Sequence, residues 1–380
     1  ISACLVGSEM CIRDSNLIEF LAGPAATPYG RIRAQLGRKE TWIAQFPIIH
    51  LQFGNEPWNA IFKGGNIEYS IPYANRADEM FHAAKNSPYY AKAKFDMVLC
   101  GQAVYVERNQ ELAQTSGLYD TLTVGPYLET KIDSFANNEE LFGPLFAEPS
   151  QINSSREYMG RNAVIKRRSG EQTALSIYET NIDPREGSIS QEALDRLAPS
   201  LGAGIGVIEN MLLSLRDLGI KDQIFWSLPQ YNFRRPDGKS FKGYGAVVDM
   251  DASRRKRPSF LALQLANDAL SGDMLDVTQN ENAPEWSNTK FVQAFAFASG
   301  SNRSIILLNL HRESPLIVNF AGPNAPSGQI RLSQLQAADI TANNEDEQRV
   351  RIRTRTQTIL STGRSLSLPP FSMTVLKWKR

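Results

Sequence analysis

Residues 47–58 read PIIHLQFGNEPW and join a strand-like run to a polar loop. The run before Gly54 is short and mostly apolar, and it stops at that glycine. Such a run is typical of a parallel strand that is buried on both faces. The segment therefore predicts a strand whose carboxyl end carries Asn55 and Glu56.

The same strand pattern recurs along the first two thirds of the chain. Further strand-like runs lie at 95–100, 119–124, 173–178 and 222–226. Helical patterns are predicted at 78–84, 87–94, 109–116, 190–218 (with Gly219 as its C-cap) and 259–271. Alternation of strands and helices predicts an α/β fold with a parallel sheet and right-handed crossovers.

A different pattern begins near Asp276. Short strand-like runs, separated by Gly, Asn, Pro and Ser, lie at 291–298, 303–310, 316–320, 329–335, 348–356 and 373–378. No strong helical pattern comes between them, which is typical of an antiparallel β-sandwich.

Composition narrows the function classes. The 380 residues include 41 Lys and Arg against 40 Asp and Glu, so the net charge is +1. This balance gives no electrostatic reason to bind nucleic acid or an anionic membrane. No run approaches the roughly 18–20 apolar residues of a membrane span, which predicts a soluble protein. The scattered Cys and His residues favour neither a zinc site nor a disulfide framework.

Two charged or glycine-rich features have structural interpretations. The row of arginines from Arg349 to Arg355 is interpreted as the solvated face of a strand. Gly202, Gly204 and Gly206 follow no strand and lack nucleotide-loop spacing, so we expect them to permit close helix packing.

The chain divides into three predicted regions. Residues 1–15, ISACLVGSEMCIRDS, lack an initiator Met and a signal-peptide pattern, and are expected to be an artefact or non-native tail. Residues 16–272 are expected to form the catalytic α/β domain, and 273–380 the C-terminal sandwich. The compartment is left open, with an extracellular or periplasmic location favoured over the cytoplasm.

Two glutamates, Glu56 and Glu179, stand at the carboxyl ends of different predicted strands. Active sites of parallel α/β folds assemble at that edge of the sheet. Glycosidic cleavage needs two carboxylates, polar groups for sugar hydroxyls and aromatic planes for sugar faces. Candidates for the polar and aromatic roles are Asn55, Trp58, Tyr127 and Trp226. We expect the two carboxylates to face one another across a sugar-sized gap.

The motif Asn55-Glu56-Pro57-Trp58, with Glu179 further along, resembles clan A glycoside hydrolases, which carry catalytic glutamates on barrel strands 4 and 7. Upstream motifs at 17–20, 23–24, 27–30 and 33–34, and the segment 366–372, are similar to family 51 α-L-arabinofuranosidases. The resemblance implies a (β/α)8 TIM barrel of which strands 4 to 8 are present, followed by the sandwich.

The resemblance also implies a retaining double displacement that needs no metal or organic cofactor. Glu179 would attack the anomeric carbon, and Glu56 would protonate the leaving oxygen. Asn55 would bind the 2-hydroxyl, and Tyr127 would position the nucleophile. The implied partner is an oligosaccharide or polysaccharide, not nucleic acid or a membrane, and a homo-oligomer is left open.

The sequence departs from the family pattern at two positions. Gly125 replaces the His of the family's His-x-Tyr motif, and Thr180 replaces the usual Trp after the nucleophile. These differences predict a subgroup with a changed substrate. Because strands 1 to 3 are expected upstream of Asn16, the isolated chain is expected to be poorly soluble or inactive.

Two alternatives stay open at this point. The first is another clan A activity, such as a xylosidase, galactosidase or endo-hydrolase. The second is an inactive carbohydrate-binding homologue that keeps the cleft.

Overall fold

The computed structural model describes residues 4–7, 16–62, 66–133, 135–359 and 365–380. The chain forms two compact units. The first comprises Ile1–Pro126, Ser154–Tyr178 and Ile220–Ile224. The second comprises Tyr127–Asn153, Glu179–Gly219 and Phe225–Arg380. The sequence-based bounds of 16–272 and 273–380 stay predictions.

A six-stranded sheet lies mainly in the first unit. Its strands, in spatial order, are β1 (Cys4–Gly7), β2 (Ile49–Phe53), β3 (Phe95–Cys100), β4 (Thr121–Val124), β5 (Ala174–Thr180) and β6 (Gln223–Phe225). Strands β1 to β5 pair in parallel, each with the next in sequence, and β6 lies beside β5. This order confirms the predicted α/β class and parallel sheet.

The first strand of that sheet comes from the segment set aside in the sequence. Cys4–Gly7 pairs in parallel with His50–Phe53 of β2, so six strands form where five were predicted. The exclusion of residues 1–15 from the fold is therefore wrong for these four residues. Residues 1–3 and 8–15 lie outside the described residues, and a non-native origin of the segment stays a prediction.

Ten helices are described in the structure. They are α1 (Asn16–Ala22), α2 (Pro28–Gln35), α3 (Trp42–Gln45), α4 (Ser70–Lys85), α5 (Val106–Thr115), α6 (Asn138–Ile152), α7 (Tyr158–Asn162), α8 (Gln191–Leu197), α9 (Leu201–Leu218) and α10 (Pro258–Ala269). The first five and α7 belong to the first unit, and the others to the second.

Two helix predictions need correction, and one long helix was missed. Residues 87–94 form turns, because α4 ends at Lys85 and Pro88 cannot continue a helix. The predicted helix 190–218 is two helices, since the Ser200 hydroxyl accepts from Ala203 N–H and starts α9. Helix α6 was not predicted, because Pro144 and Pro149 lie inside it.

The glycine interpretations are confirmed. A Cβ on Gly202 would lie 2.3 Å from the Phe142 ring, and one on Gly204 would lie 2.8 Å from Ser259 N. A Cβ on Gly206 would lie 2.8 Å from Leu145. These contacts are closer than side chains tolerate, so α9 packs against its neighbours only with glycine there. Gly219 is left-handed with φ of 69° and caps α9, as predicted.

The antiparallel strands that the structure describes lie in the second unit. The small two-stranded pairs are β7 (Tyr231–Arg234) with β8 (Ser240–Tyr244), β9 (Val247–Val248) with β10 (Arg255–Lys256), and β12 (Glu285–Trp286) with β13 (Thr289–Lys290). A six-stranded sheet combines β11 (Asp273–Leu275), β14 (Val292–Ser299), β15 (Asn302–Asn309), β20 (Ser372–Lys379), β17 (Gly328–Gln336) and β18 (Arg351–Ile359), in that spatial order.

A further pair, β16 (Leu316–Asn319) with β19 (Ser365–Leu368), completes the predicted β region. Leu366 and Leu368 join a buried cluster with Leu307, Leu332 and Leu376 of the large sheet. Two β layers therefore share one apolar core, which agrees with the predicted antiparallel architecture.

The arginine row lies mostly on β18. Arg351, Arg353 and Arg355 are exposed, which confirms that this strand presents them to solvent. Within the described ranges, no single helix is long and apolar enough to cross a membrane. Helices α8 and α9, bent by 57° at the break between them, meet the requirements of length and apolar composition only when taken together.

Candidate active site

The loop that carries Glu56 begins where β2 ends. Gly54 and Glu56 both have positive φ angles, of 74° and 41°. The buried Gln52 side chain donates to the Gly54 carbonyl at 2.8 Å, and Tyr73 donates to the Phe53 carbonyl at 2.6 Å. A left-handed glutamate is uncommon, so the surrounding hydrogen bonds must hold this turn.

Both carboxylate oxygens of Glu56 have partners in the first unit. Asn59 donates its side-chain amide to Oε2 at 2.9 Å, and the Tyr178 hydroxyl donates to Oε1 at 3.2 Å. Glu56 is half-buried. Since a carboxylate has about four acceptor positions, the two bonds orient the group and leave acceptor capacity for a ligand. The sequence analysis did not single out either partner.

The predicted sugar-binding residues of this loop flank Glu56. Asn55 is half-buried and precedes it directly. Trp58 is also half-buried, packs against the core of the first unit and lies 5.2 Å from the Arg108 guanidinium carbon. The assignment of both residues to substrate binding stays a prediction.

Glu179 is next to last in β5 and belongs to the second unit. Its residue is 9% exposed, and its carboxylate accepts a hydrogen bond from the Tyr127 hydroxyl. Burial raises the pKa of Tyr127 well above its usual range, and the charge of Glu179 adds to this effect. Tyr127 therefore keeps its proton and remains a donor to Glu179 at any ordinary pH. These two predicted site residues are in direct contact.

The segments that follow β4 and β5 continue side by side beyond the sheet. Leu128 N–H donates to Asn181 O at 3.0 Å, and Asp183 N–H returns to Leu128 O at 2.9 Å. A further bond of 3.0 Å joins Glu186 N–H to Thr130 O. The ladder begins at Leu128, the residue after Tyr127, so it fixes the backbone next to Tyr127.

Gly187, where φ is 92°, lies near the far end of this ladder, which reaches Ile189. A Cβ at this position would lie 2.0 Å from the Ile132 carbonyl oxygen. Both the backbone angle and the close approach require glycine. The loop 183–189 is therefore fixed against the segment that follows Tyr127.

A polar network that the sequence analysis missed adjoins Tyr127. The buried Asp183 carboxylate accepts from the Tyr244 hydroxyl and forms an ion pair with Arg185. The rings of Tyr127 and Tyr244 meet edge to face with centroids 6.3 Å apart. The cluster of polar residues just after β5 was a signal for this network, but its partner Tyr244 lies far away in sequence.

Trp226 directly follows β6. Its N–H donates to Thr180 O at 3.2 Å, and its carbonyl accepts from the Asn181 side chain at 2.7 Å. The residue is 42% exposed. The backbone of Trp226 is thus tied to the two residues after Glu179, while its role as a sugar platform stays a prediction.

A second carboxylate pair lies two residues beyond Tyr127. Glu129 has a φ of 51°, and its N–H donates to Glu148 Oε2 at 2.7 Å. Burial, with the nearby charge of Glu148, raises the pKa of Glu129 to about 8. Burial also raises the pKa of Glu148. At neutral pH this pair therefore retains a proton.

Metal ligands do not cluster in the part of the chain that the structure describes. No group of three or more His, Cys, Asp or Glu side chains comes together there. The chemistry available at the described carboxylates is proton transfer, nucleophilic attack and hydrogen bonding.

Solved structures of similar fold are α-L-arabinofuranosidases. The alignment with the enzyme from Thermotoga maritima covers 96% of this chain and 72% of that chain, with a TM-score of 0.66 and 16% identity. The family 51 enzyme AbfB from Bifidobacterium longum aligns over 100% of this chain and 76% of its own, with a TM-score of 0.68 and 14% identity.

Other glycoside hydrolases have a related fold. A family 44 endoglucanase from Clostridium thermocellum aligns over 96% of this chain and 69% of its own, with a TM-score of 0.56 and 13% identity. No family model matches the sequence, and no curated protein matches it. The resemblance predicted from the sequence is therefore confirmed as a likeness of fold to family 51 arabinofuranosidases.

Proposed function

We propose that the protein is a retaining glycoside hydrolase that acts on terminal arabinofuranosyl or related sugars of polysaccharides. The observation that carries the proposal is the buried Glu179 carboxylate, which accepts a hydrogen bond from the Tyr127 hydroxyl at the end of a sheet strand. We also propose that β2 to β6 correspond to strands 4 to 8 of an eight-stranded barrel. The fold likeness to arabinofuranosidases supports both statements.

Glu179 is the nucleophile in this proposal. One carboxylate oxygen of Glu179 attacks the anomeric carbon, while the hydrogen bond from the Tyr127 hydroxyl fixes the orientation of the carboxylate. Attack forms the bond between Glu179 and the sugar and breaks the glycosidic bond to the leaving oxygen. Water then cleaves the glycosyl-enzyme, and two inversions give net retention.

Glu56 is the acid and base. It donates a proton to the leaving oxygen in the first step and accepts one from water in the second. Its hydrogen bonds from Asn59 and Tyr178 orient the carboxyl group, which general acid catalysis requires. Retention requires the two carboxyl groups to lie about 5–5.5 Å apart when the site is assembled.

The remaining predicted residues bind the sugar. Asn55 is proposed to hydrogen-bond the 2-hydroxyl, and Trp58 and Trp226 to contact sugar faces. Trp226 is 42% exposed, which suits a stacking platform. Asn55 and Trp58 are given these roles because they flank Glu56. Trp226 is given its role because its backbone is bonded to Thr180, the residue after Glu179.

The stereochemical course tests this function. Nitrophenyl α-L-arabinofuranoside is incubated with the 380-residue chain and with any longer form of the protein that contains it, and proton NMR follows the first sugar anomer released. The α anomer is expected first, because double displacement retains configuration. Release of the β anomer would overturn the mechanism. A panel of nitrophenyl xylosides, galactosides and polysaccharides decides the sugar, and failure of both proteins on every substrate would overturn the activity.

A further inference from the structure

We propose that Arg185 forms an anion-binding subsite beside Glu179 and that the substrate carries a carboxylate or sulfate ester close to the bond that is cleaved. This inference rests on the proposed function, since it names the substrate class of the same site. It concerns residues of the second unit only.

One tyrosine separates Arg185 from the proposed nucleophile. The Arg185 guanidinium carbon lies 5.7 Å from the Tyr127 ring centroid, and the Tyr127 hydroxyl donates to Glu179. The guanidinium carbon also lies 5.7 Å from the Phe233 ring centroid. Two aromatic rings therefore contact the cation and restrict its orientation.

Arg185 forms contacts within the protein, but about half of its side chain is exposed to solvent. Its Nε is ion-paired with the buried Asp183, and its side chain also hydrogen-bonds Tyr244. The side chain is nevertheless 51% exposed. A guanidinium has five N–H donors, so donors remain for a ligand after these contacts. Its planar geometry matches the paired oxygens of a carboxylate or sulfate.

Arg185 is not needed to hold its own loop. The backbone ladder between 128–132 and 181–189 already fixes that loop. Arg235, which is buried, adds a bond of 2.6 Å from its guanidinium to the Gly187 carbonyl and so ties the loop to the β7–β8 hairpin. A half-exposed arginine with a secured loop beneath it is suited to ligand contact.

Local charge supports an anionic ligand. Glu179 and Asp183 would repel an anionic substrate if no cation lay beside them. Arg185 supplies that cation. The hairpin 231–244, which also supplies Phe233, contains four basic residues and one acidic residue. Of these basic residues, Arg234 and Lys242 are exposed, so the field beside Arg185 favours anions.

The test compares charged and neutral ligands on the full chain. Binding is measured by calorimetry with a neutral arabinose disaccharide, a uronate-containing disaccharide and a sulfated disaccharide. Relative kcat/KM is measured with the matching aryl glycosides. The wild type is expected to prefer at least one anionic ligand by about 10-fold or more, as a charge-assisted bidentate contact provides.

Variants assign the preference to Arg185. Arg185→Gln is expected to reduce the charged-to-neutral ratio by about 10- to 100-fold, and Arg185→Lys to restore part of it, because Lys keeps the charge without the planar fork. Arg353→Gln, a matched loss of one exposed charge on β18, is expected to leave the ratio unchanged. Thermal unfolding of each variant establishes that the comparison is made on folded protein.

The outcomes separate this inference from the proposed function. Hydrolysis without any preference for charged ligands, or a preference that survives Arg185→Gln, overturns the anion subsite and leaves the hydrolase proposal intact. If the protein binds anionic ligands preferentially and Arg185→Gln removes this preference, the subsite is supported. If no ligand is hydrolysed in the same experiment, only the hydrolase proposal fails. Preference for the uronate or for the sulfated ligand identifies which anionic group the substrate carries.

Discussion

The Tyr127 hydroxyl donates a hydrogen bond to the carboxylate of Glu179. Tyr127 follows β4 and Glu179 lies near the end of β5, so the contact joins two neighbouring strand ends. Because burial raises the pKa of Tyr127, this donor does not ionise in the pH range where glycosidases work. In the proposed mechanism the contact holds the nucleophile in one orientation.

Removal of that donor should slow catalysis while the chain still folds. Tyr127→Phe keeps the ring and loses a hydrogen bond to a charged group, a contact of about 1.5–3 kcal/mol. We expect kcat to fall about 10- to 100-fold, with a smaller change in KM. Tyr105→Phe, at an exposed tyrosine that begins α5, is the matched control. Equal kcat values for Tyr127→Phe and the wild type would contradict a positioning role.

Loss of Glu56 should depend on the leaving group. Glu56→Gln cannot protonate the departing oxygen, so hydrolysis of a sugar-linked substrate is expected to fall about 10²- to 10⁴-fold. The first step with a dinitrophenyl glycoside, whose leaving group needs no proton, should fall much less. Pre-steady-state release of dinitrophenol measures that step. The same fractional loss with both leaving groups would show that Glu56 is not the acid.

The buried Glu129–Glu148 pair should make stability depend on pH. Glu129 has a pKa of about 8 in the folded state, against about 4.3 in an unfolded chain. Between these values the folded state keeps a proton that the unfolded state has lost. The free energy of unfolding therefore falls as pH rises, by at most roughly 1.4 kcal/mol per pH unit from this group.

Glu129→Gln tests that dependence. The variant lacks the titrating group, so its stability relative to the wild type should increase from pH 5 to pH 8, as measured by urea unfolding. Glu192→Gln, at an exposed glutamate in the first turn of α8, is the control and should follow the wild type. Parallel pH curves for Glu129→Gln and the wild type would refute a retained proton.

The packing of α9 against α10 should be sensitive to a single methyl group. A Cβ on Gly204 would lie 2.8 Å from Ser259 N and 2.9 Å from the Pro258 carbonyl carbon, both of them backbone atoms. Gly204→Ala is therefore expected to cost about 1–3 kcal/mol of stability. Gly117→Ala, where the nearest atom is 4.0 Å away, is the control. Gly204→Ala that unfolds at the same urea concentration as the wild type would contradict this contact.

The sequence was sufficient for features that depend on local pattern. The strand predicted at 95–100 has those bounds in the structure, because a buried parallel strand requires a continuous apolar run. The polar motif after such a strand predicted Glu56 at the carboxyl end of β2, where the structure places it, and its catalytic role stays a prediction. The close helix packing at Gly202 was predicted because the glycines there follow no strand and lack the spacing of a nucleotide-binding loop.

Features that depend on tertiary contacts were missed. The Asp183–Arg185–Tyr244 network exists only because the chain returns from β6 through the β7–β8 hairpin. The turn sequence Pro236-Asp237-Gly238 was a signal for that hairpin, and Gly238 has the positive φ such a turn requires. Helix α6 was not predicted because it contains Pro144 and Pro149, and proline destabilises a helix interior. The helix nevertheless forms, with most of its apolar residues buried.

Covalent trapping of the nucleophile tests the central claim most directly. A dinitrophenyl arabinofuranoside with fluorine in place of the 2-hydroxyl slows both steps and lets the glycosyl-enzyme accumulate, because the transition states carry positive charge at the ring. Proteolysis and mass spectrometry then locate the added sugar. The account predicts one sugar per chain, attached to Glu179 and absent from Glu179→Gln. A sugar on any other residue, or turnover of the fluorinated substrate with no covalent adduct, would contradict it.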